Sequence, residues 1–406
     1  MAQNNILAVI DIGSAETKVF ITDLQPRLRI IGGVCGKTEG MRNGEIVNLE
    51  ALKESVHAVI QNAERQAGVV GRIPAACLAV SGVSVGGTSV QGVASVKTGK
   101  VSDADIEAAR ADAVEVCLSR LPEGRHIVQL LPRKFRLDSR ELDRPKDFSG
   151  EKLFCDMWAI DADDKYLVEL YQIPNRYGME VRGLYSAALA SAESLRNLPQ
   201  ARGDMLVLDI GAGTTDFALL RNRKVVKTGV VPVGGNHITN DLARGLNLSP
   251  EDAERLKLNF GKAFVQESDV TADIDLASPA ENGNGKELTS HRVSRYKMCL
   301  VIEVRLRELF EIIYKKVSSE FAFSGTIFLT GGTSNLTGID RLAGSVFSNA
   351  EVRRGEPLFN FAQAYAEPKF ATAVGLAALY FSDRSRLRRG SGRLSALKRF
   401  FRGMFR

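Results

Sequence analysis

Two stretches of this chain are built on one plan. Residues 6–20 (ILAVIDIGSAETKVF) and 205–220 (MLVLDIGAGTTDFALL) each read as a short apolar strand, Asp-Ile-Gly, a turn of small residues and a second apolar strand. The repeat sets Asp11 opposite Asp209 and Gly13 opposite Gly211. Copies about half a chain apart imply two related halves that face each other across a cleft. A single Asp-Ile-Gly would say little, because hairpins commonly place Asp and Gly at turns. Two copies sharing the same small-residue turn imply a shared chemistry.

Residue types indicate what that chemistry is. The turns Gly13-Ser14-Ala15 and Gly211-Ala212-Gly213-Thr214-Thr215 can direct backbone N–H groups inward as a nest for phosphate oxygens. Asp11, Asp209 and Asp216 can hold a hydrated Mg²⁺ beside those phosphates, with Asp11 and Asp209 acting through water, since Mg²⁺ takes oxygen ligands and keeps waters. Lys18 can reach the phosphates as a point charge. A third element follows. Residues 325–338 (GTIFLTGGTSNLTG) read as a strand, then Gly331-Gly332 and Thr333, where the backbone can pass close to a flat or charged ligand. Alone this is any strand-to-helix turn; after two phosphate loops it reads as the adenosine loop.

The three motifs, in this order, resemble the actin-like ATPase superfamily, and within it the FtsA family of bacterial cell-division proteins. GMRNGEIVNLE at 40–50, LAVSG at 78–82, SAALAS at 186–191, VVPVGGNHITNDLA at 230–243 and YAEPKFATAVGLA at 365–377 are similar to that family. The likeness runs from about residue 6 to 381 and departs at Ala212, at Thr333-Ser334 and at 131–135 (LPRKF), where the family more usually has other residues. It implies an α/β, actin-like (ribonuclease H-like) two-lobed fold with a nucleotide cleft, an inserted α+β subdomain and a C-terminal amphipathic helix. The expected divisions are 1–83 with 166–202 (first core subdomain), 84–165 (insert) and 203–232 with 306–382 (second core subdomain). Residues 233–305 form a nucleotide-capping and partner-binding subdomain, 383–391 a linker and 392–406 the terminal helix.

Local signals place elements on this frame. Leu49, Leu52, Val56, Val59 and Ile60 recur at helical spacing within 48–67. Ser102 with Asp105 three residues on forms a capping-box-like start for a helix in the insert, among β-rich stretches at 85–96, 126–137 and 153–160. Ser249-Pro250 reads as an N-cap with proline at the first helical position. Residues 268–290 have the composition of a loop, and a helix is expected over 291–318. Glu254 and Lys257 share a helix face and read either as a surface pair or, by the resemblance, as contacts to ribose and adenine, with Gly235 close by. Arg305 and Arg307 read either as a solvated helix face or, by resemblance, as the grip on the C-terminal peptide of FtsZ.

Charge sets the tail apart. Residues 384–406 hold nine of the 54 basic groups and no acid, which leaves 45 basic against 48 acidic groups elsewhere. Leu394, Leu397, Phe401, Met404 and Phe405, with Phe400 beside them, make an apolar helix face flanked by Arg393, Lys398, Arg399 and Arg402. Such a helix suits an anionic membrane surface; the plainer reading packs it on the protein's own body. The body without its tail is slightly acidic, which argues against a nucleic-acid partner. Five scattered cysteines (Cys35, Cys77, Cys117, Cys155, Cys299) and an N-terminus without a signal-peptide pattern suggest reduced thiols in a cytosol.

The expectation is an ATP- and Mg²⁺-binding, filament-forming scaffold. It would attach FtsZ to anionic lipid on the cytoplasmic side of the inner membrane at the division site, and help recruit later division proteins. Turnover should be slow, since a water near Asp209 or Asp216 has no strong general base beside it. A small-molecule kinase, a pilus-assembly protein and a chaperone ATPase share the motifs. They differ in needing, respectively, an acceptor pocket, no membrane tail, and a peptide-binding domain.

Overall fold

A computed structural model describes residues 5–279, 288–318 and 323–388. The chain opens with β1 (Ile6–Ile12), β2 (Glu16–Asp23) and β3 (Arg29–Lys37), then the short ribbon β4 (Met41–Arg42) and β5 (Glu45–Ile46), α1 (Leu49–Ala67) and β6 (Ala75–Val80). The insert follows as β7 (Val85–Ser95), α2 (Asp103–Arg120), β8 (Arg125–Leu137), β9 (Arg140–Leu142) and β10 (Lys152–Asp163). After it come α3 (Asp164–Asn175), β11 (Glu180–Ser186) and α4 (Ala187–Ser194). The second half contains β12 (Met205–Ile210), β13 (Thr215–Arg221), β14 (Lys224–Val231), α5 (Gly235–Leu246), α6 (Pro250–Phe260), β15 (Asp273–Pro279), β16 (Leu288–Ser294) and α7 (Arg295–Ser318). It closes with β17 (Thr326–Thr330), α8 (Ile339–Val346), β18 (Glu351–Arg354) and α9 (Ala371–Arg388).

The duplication seen in the motifs is a duplication of whole sheets. The first sheet runs β11-β6-β1-β2-β3 and the second β18-β17-β12-β13-β14. In each, an antiparallel meander of three strands is extended by two parallel strands from its first member. Registers match as well: Asp11 faces Lys18 across β1–β2, and Asp209 faces Asp216 across β12–β13. The lobes share an apolar core, one buried cluster that holds Ala8, Ile10 and Leu78 of the first together with Met205, Val207 and Phe328 of the second.

The insert is a sheet of order β7-β10-β8-β9 with α2 on one face. The Ser102–Asp105 capping box is present, with each backbone N–H donating to the other residue's side chain at 2.9 and 3.3 Å. Asn48 caps α1 and Ser249 caps α6.

Three expectations are corrected. Residues 268–290 are not a loop throughout, because β15 and β16 pair as a hairpin, Ile274 opposite Val293. Both side chains are buried in the core of the second lobe, and the alternation Asp273-Ile274-Asp275-Leu276 is a strand pattern that bulk composition hides. Because β16 continues to Ser294, the next helix starts at Arg295 instead of residue 291; it then runs unbroken through the proposed boundary at 305/306. The last helix, α9, packs on β1, β2 and β6 and so belongs with the first lobe instead of the second. It lies against α4 so closely that a Cβ on Gly375 would fall 1.6 Å from the Ala190 carbonyl oxygen.

Candidate functional site

The two Asp-Ile-Gly turns are closed in the same way. Gly13 N–H donates to the Glu16 carbonyl at 3.1 Å, and Gly211 N–H donates to the Thr214 carbonyl at 2.9 Å. Those two amides hold the turns shut, so an anion would meet the amides inside each turn instead, around Ser14-Ala15 and Ala212-Gly213. Thr215 lies in β13, its hydroxyl donating to the Val233 carbonyl at 2.8 Å. The turns meet across the cleft: a Cβ on Gly213 would lie 2.3 Å from the Ser14 hydroxyl and 2.8 Å from Asn43 Cα. Ser14 Oγ accepts the Gly44 N–H at 2.9 Å, and Asn43 and Gly44 both have positive φ (50° and 80°). The ribbon turn between β4 and β5 is therefore a third wall of the site. It was legible as Asn-Gly between pairing strands, the signature of a two-residue hairpin turn.

Between the turns lie three carboxylates and one lysine. Lys18 sits 3.9 Å from Asp11. Burial pushes Asp11 up to about 6, with Asp209 adding and Lys18 opposing. Burial pushes Asp216 up to about 8; the Ser81 bond opposes this, while Asp209 and Asp11 add to it. The Lys18 ammonium is raised although burial acts to lower it, because Asp11, Cys35, Glu16 and Asp209 outweigh that effect. Negative charge is thus costly here until a cation arrives, and every acidic donor is a hard oxygen, which suits Mg²⁺. Among the described residues no group of three or more His, Cys, Asp or Glu converges to ligate a metal directly.

Hydroxyls hold the carboxylates in place. Asp216 Oδ2 accepts from Ser81 Oγ at 2.5 Å, and the Ser81 carbonyl accepts from the Tyr166 hydroxyl at 2.6 Å. Asp209 Oδ2 accepts from Ser191 Oγ at 2.5 Å and from Thr372 Oγ1 at 2.7 Å. Ser81 and Ser191 lie inside the LAVSG and SAALAS segments, but nothing in sequence spacing tied either to a carboxylate.

The Gly331–Thr333 loop adjoins the second turn. Thr333 Oγ1 donates to the Gly211 carbonyl at 3.0 Å, and Gly331, with φ 83°, leaves no room for a Cβ beside Asp209 Oδ1. Space beside Gly332 is open. Gly235 and Asn236, the first residues of α5, donate to the Gly211 and Ala212 carbonyls at 2.9 and 2.7 Å, so this helix start caps the turn. Lys257 is no surface residue. Its side chain is 7% exposed, and Nζ donates to the Gly235 carbonyl, Thr239 and Glu254 at 3.0, 2.8 and 2.6 Å. Burial lowers its pKa, against the pull of Glu254. With its three donors engaged, Lys257 is a strut between α5 and α6, and Glu254, 40% exposed, is the member that faces outward.

On α7, Arg305 and Arg307 lie on opposite flanks, since residues two apart are about 200° around a helix. Arg305 pairs with Asp241 and Glu308, both at 2.6 Å; Arg307 pairs with Glu303 at 3.0 Å. Beside Arg307 runs an apolar stripe of Tyr296, Leu300 and Val304, exposed by 38, 40 and 59%. The residues assigned to the membrane helix, Arg393, Leu394, Leu397, Lys398, Arg399, Phe400, Phe401, Arg402, Met404 and Phe405, lie outside the described residues. Among the described residues no helix is long and apolar enough to cross a membrane.

Comparison with known proteins gives these features a context. Residues 206–375 match the family model described as cell division protein FtsA, and residues 82–160 match that of the SHS2 domain inserted in FTSA. Cell division protein FtsA of Rhizobium meliloti (strain 1021) is 30% identical over 396 residues, covering 92% of this chain and 87% of that protein. Among solved structures, a chain of the PilM-PilN type IV pilus biogenesis complex has the same fold, with TM-score 0.63, 19% identity and coverage of 92% of this chain and 98% of that one. MreB5 of Spiroplasma citri bound to AMPPNP follows with TM-score 0.56, 12% identity and coverage of 95% and 99%.

Proposed function

This chain belongs to the FtsA family of cell division proteins, and on that premise we propose that it is an ATP- and Mg²⁺-binding scaffold that ties FtsZ to the inner face of the plasma membrane. The observation that carries the nucleotide reading is the contact of the two turns across a cleft lined by Asp11, Asp209 and Asp216. The amides within each turn would bind the phosphates, Lys18 would add a point charge, and the Gly331–Thr333 backbone would pass the adenosine. Asp11 and Asp209 would hold Mg²⁺ through its waters; when bound, the ion neutralises phosphate charge. Asp216 Oδ2 already accepts the Ser81 hydroxyl, which ties this carboxyl to the wall of the cleft instead of leaving it free to activate water, in line with slow turnover.

Partner binding is supported by the stripe Tyr296-Leu300-Val304 edged by Arg307, which fits an amphipathic peptide with acidic groups such as the FtsZ C-terminus. Residues 392–406 would lie in the headgroup region of an anionic membrane, with α9 leading toward them. Self-association into filaments and contacts with later division proteins complete the reading. The pilus-assembly alternative has only the shared fold behind it.

Sedimentation with anionic lipid vesicles tests the whole assignment, with and without ATP and the FtsZ peptide. The protein should pellet with the vesicles and carry the peptide with it. Failure to pellet, or pelleting that leaves the peptide in solution, removes the tether.

A further inference from the structure

Among the described residues the polypeptide passes between the lobes twice. It leaves the first sheet at β11 through α4 to reach β12 of the second, and returns from β18 into α9, which packs on the first sheet. The two crossings touch nearly backbone to backbone at Ala190 and Gly375. Two hydroxyls are buried where they meet, Ser191 on α4 and Thr372 on α9, with their oxygens 2.8 Å apart. Both reach the same atom, Oδ2 of Asp209, at 2.5 and 2.7 Å.

This is not what helical hydroxyls in this protein usually do. Ser119, Ser194, Ser345 and Ser385 all donate back to a carbonyl one turn earlier in their own helices, the ordinary local solution. Ser191 and Thr372 forgo it for a carboxylate on a third element. The proton count makes the cluster sensitive to its surroundings. Two hydroxyl protons serve three short contacts, so with Asp209 ionised either both hydroxyls donate to Oδ2 or one relays through the other. Asp209 Oδ1 lies on the other side, beside Gly331 of the adenosine loop.

We propose that Ser191 and Thr372 are positioning residues that lock the Asp209 carboxylate to the crossing of α4 and α9, so that cation-dependent nucleotide binding depends on the two hydroxyls buried there. The inference rests on reading the cleft as a Mg–ATP site. A cation shell that leans on Asp209 pulls on both crossings at once, and a change at the crossing re-aims Asp209.

The test compares ATP affinity of the full chain by calorimetry, with Mg²⁺ and in EDTA, for wild type, Ser191→Ala, Thr372→Val and Thr372→Ser. Each of the first two variants should weaken Mg–ATP about tenfold, the effect of losing one hydrogen bond to a charged group, while metal-free ATP stays within about twofold. Thr372→Ser, which keeps the hydroxyl, should match wild type. Equal losses with and without Mg²⁺, or no loss in either variant, overturns the proposal. So does misfolding of both hydroxyl-deleted variants while Thr372→Ser folds, which would make the cluster structural glue. A wild-type protein that binds no Mg–ATP instead removes the reading of the cleft beneath it.

Discussion

Gly213→Ala is the perturbation that best separates closure of the cleft from stability of the fold. A methyl group there would stand 2.3 Å from the Ser14 hydroxyl, 2.9 Å from Ser14 Cβ and 2.8 Å from Asn43 Cα. Ordinary contact needs roughly 3.4 Å or more, so the second turn must retreat from the first by about 1 Å. All three neighbours belong to the other lobe, and none to the core under the turn. A protein without ligand can therefore relieve the clash by opening slightly, whereas a closed, nucleotide-bound state cannot. The cost of overpacking, about 1–3 kcal/mol, then falls on the closed state alone. That corresponds to a loss of about 5- to 150-fold in Mg–ATP affinity, with a melting temperature within about 2 °C of wild type. Gly203→Ala, where an added Cβ meets nothing within 4 Å, is the control and should leave both quantities unchanged. Calorimetry for affinity and scanning calorimetry for stability make the measurement. Wild-type affinity in Gly213→Ala, or a loss of stability as large as the loss of affinity, would refute the idea that the two turns close on a shared ligand.

Other outcomes follow from the same geometry. Asp11 and Asp216 have folded-state pKa values raised above the usual carboxylate range, to about 6 and about 8, so the native state holds more protons than the unfolded chain. Their contribution is fullest below about pH 4 and is lost as pH rises toward 8. The melting temperature of the ligand-free protein should carry a falling component between pH 5 and 8.5, and Asp216→Asn should flatten it; an unchanged slope in the variant counts against the burial argument. On α7, Leu300→Asp and Arg307→Glu should each weaken the FtsZ peptide about tenfold or more by fluorescence anisotropy. Arg305→Glu should act mainly on stability, since it opposes Asp241 and Glu308; the reverse ranking would move the docking face to the other flank. Removing residues 390–406 should leave melting temperature and Mg–ATP affinity intact but abolish vesicle sedimentation, and Phe401→Glu should do nearly the same by placing a charge in the inserted face. Loss of the folded core on truncation would mean that the tail packs on the protein.

What the residues determine alone is whatever is decided within a few positions of chain. The hairpins at the two Asp-Ile-Gly motifs, the Asn48 cap, the Ser102–Asp105 box and the Ser249-Pro250 start all stand where local chemistry puts them, because each partner lies within about one turn. The repeat of the motif even foretold the repeat of the sheet. The hairpin β15–β16 was also present locally, in the Asp-Ile-Asp-Leu alternation, but averaging composition over the segment concealed it. Other features only the assembled structure decided. Helix spacing alone puts Arg305 and Arg307 on opposite flanks, but packing on α5 decided which flank is tied into the body, since Arg305 meets Asp241 there while Arg307 pairs with Glu303 of its own helix. Lys257 reads as a surface residue until α5 closes over it. The bonds that hold the cleft carboxylates, Ser81 to Asp216 and Thr372 to Asp209, span 135 and 163 residues. No periodicity or local preference encodes such a pair. The contacts exist because two sheets share one core, which brings the ends of their strands, and α9 packed beside them, within hydrogen-bond reach.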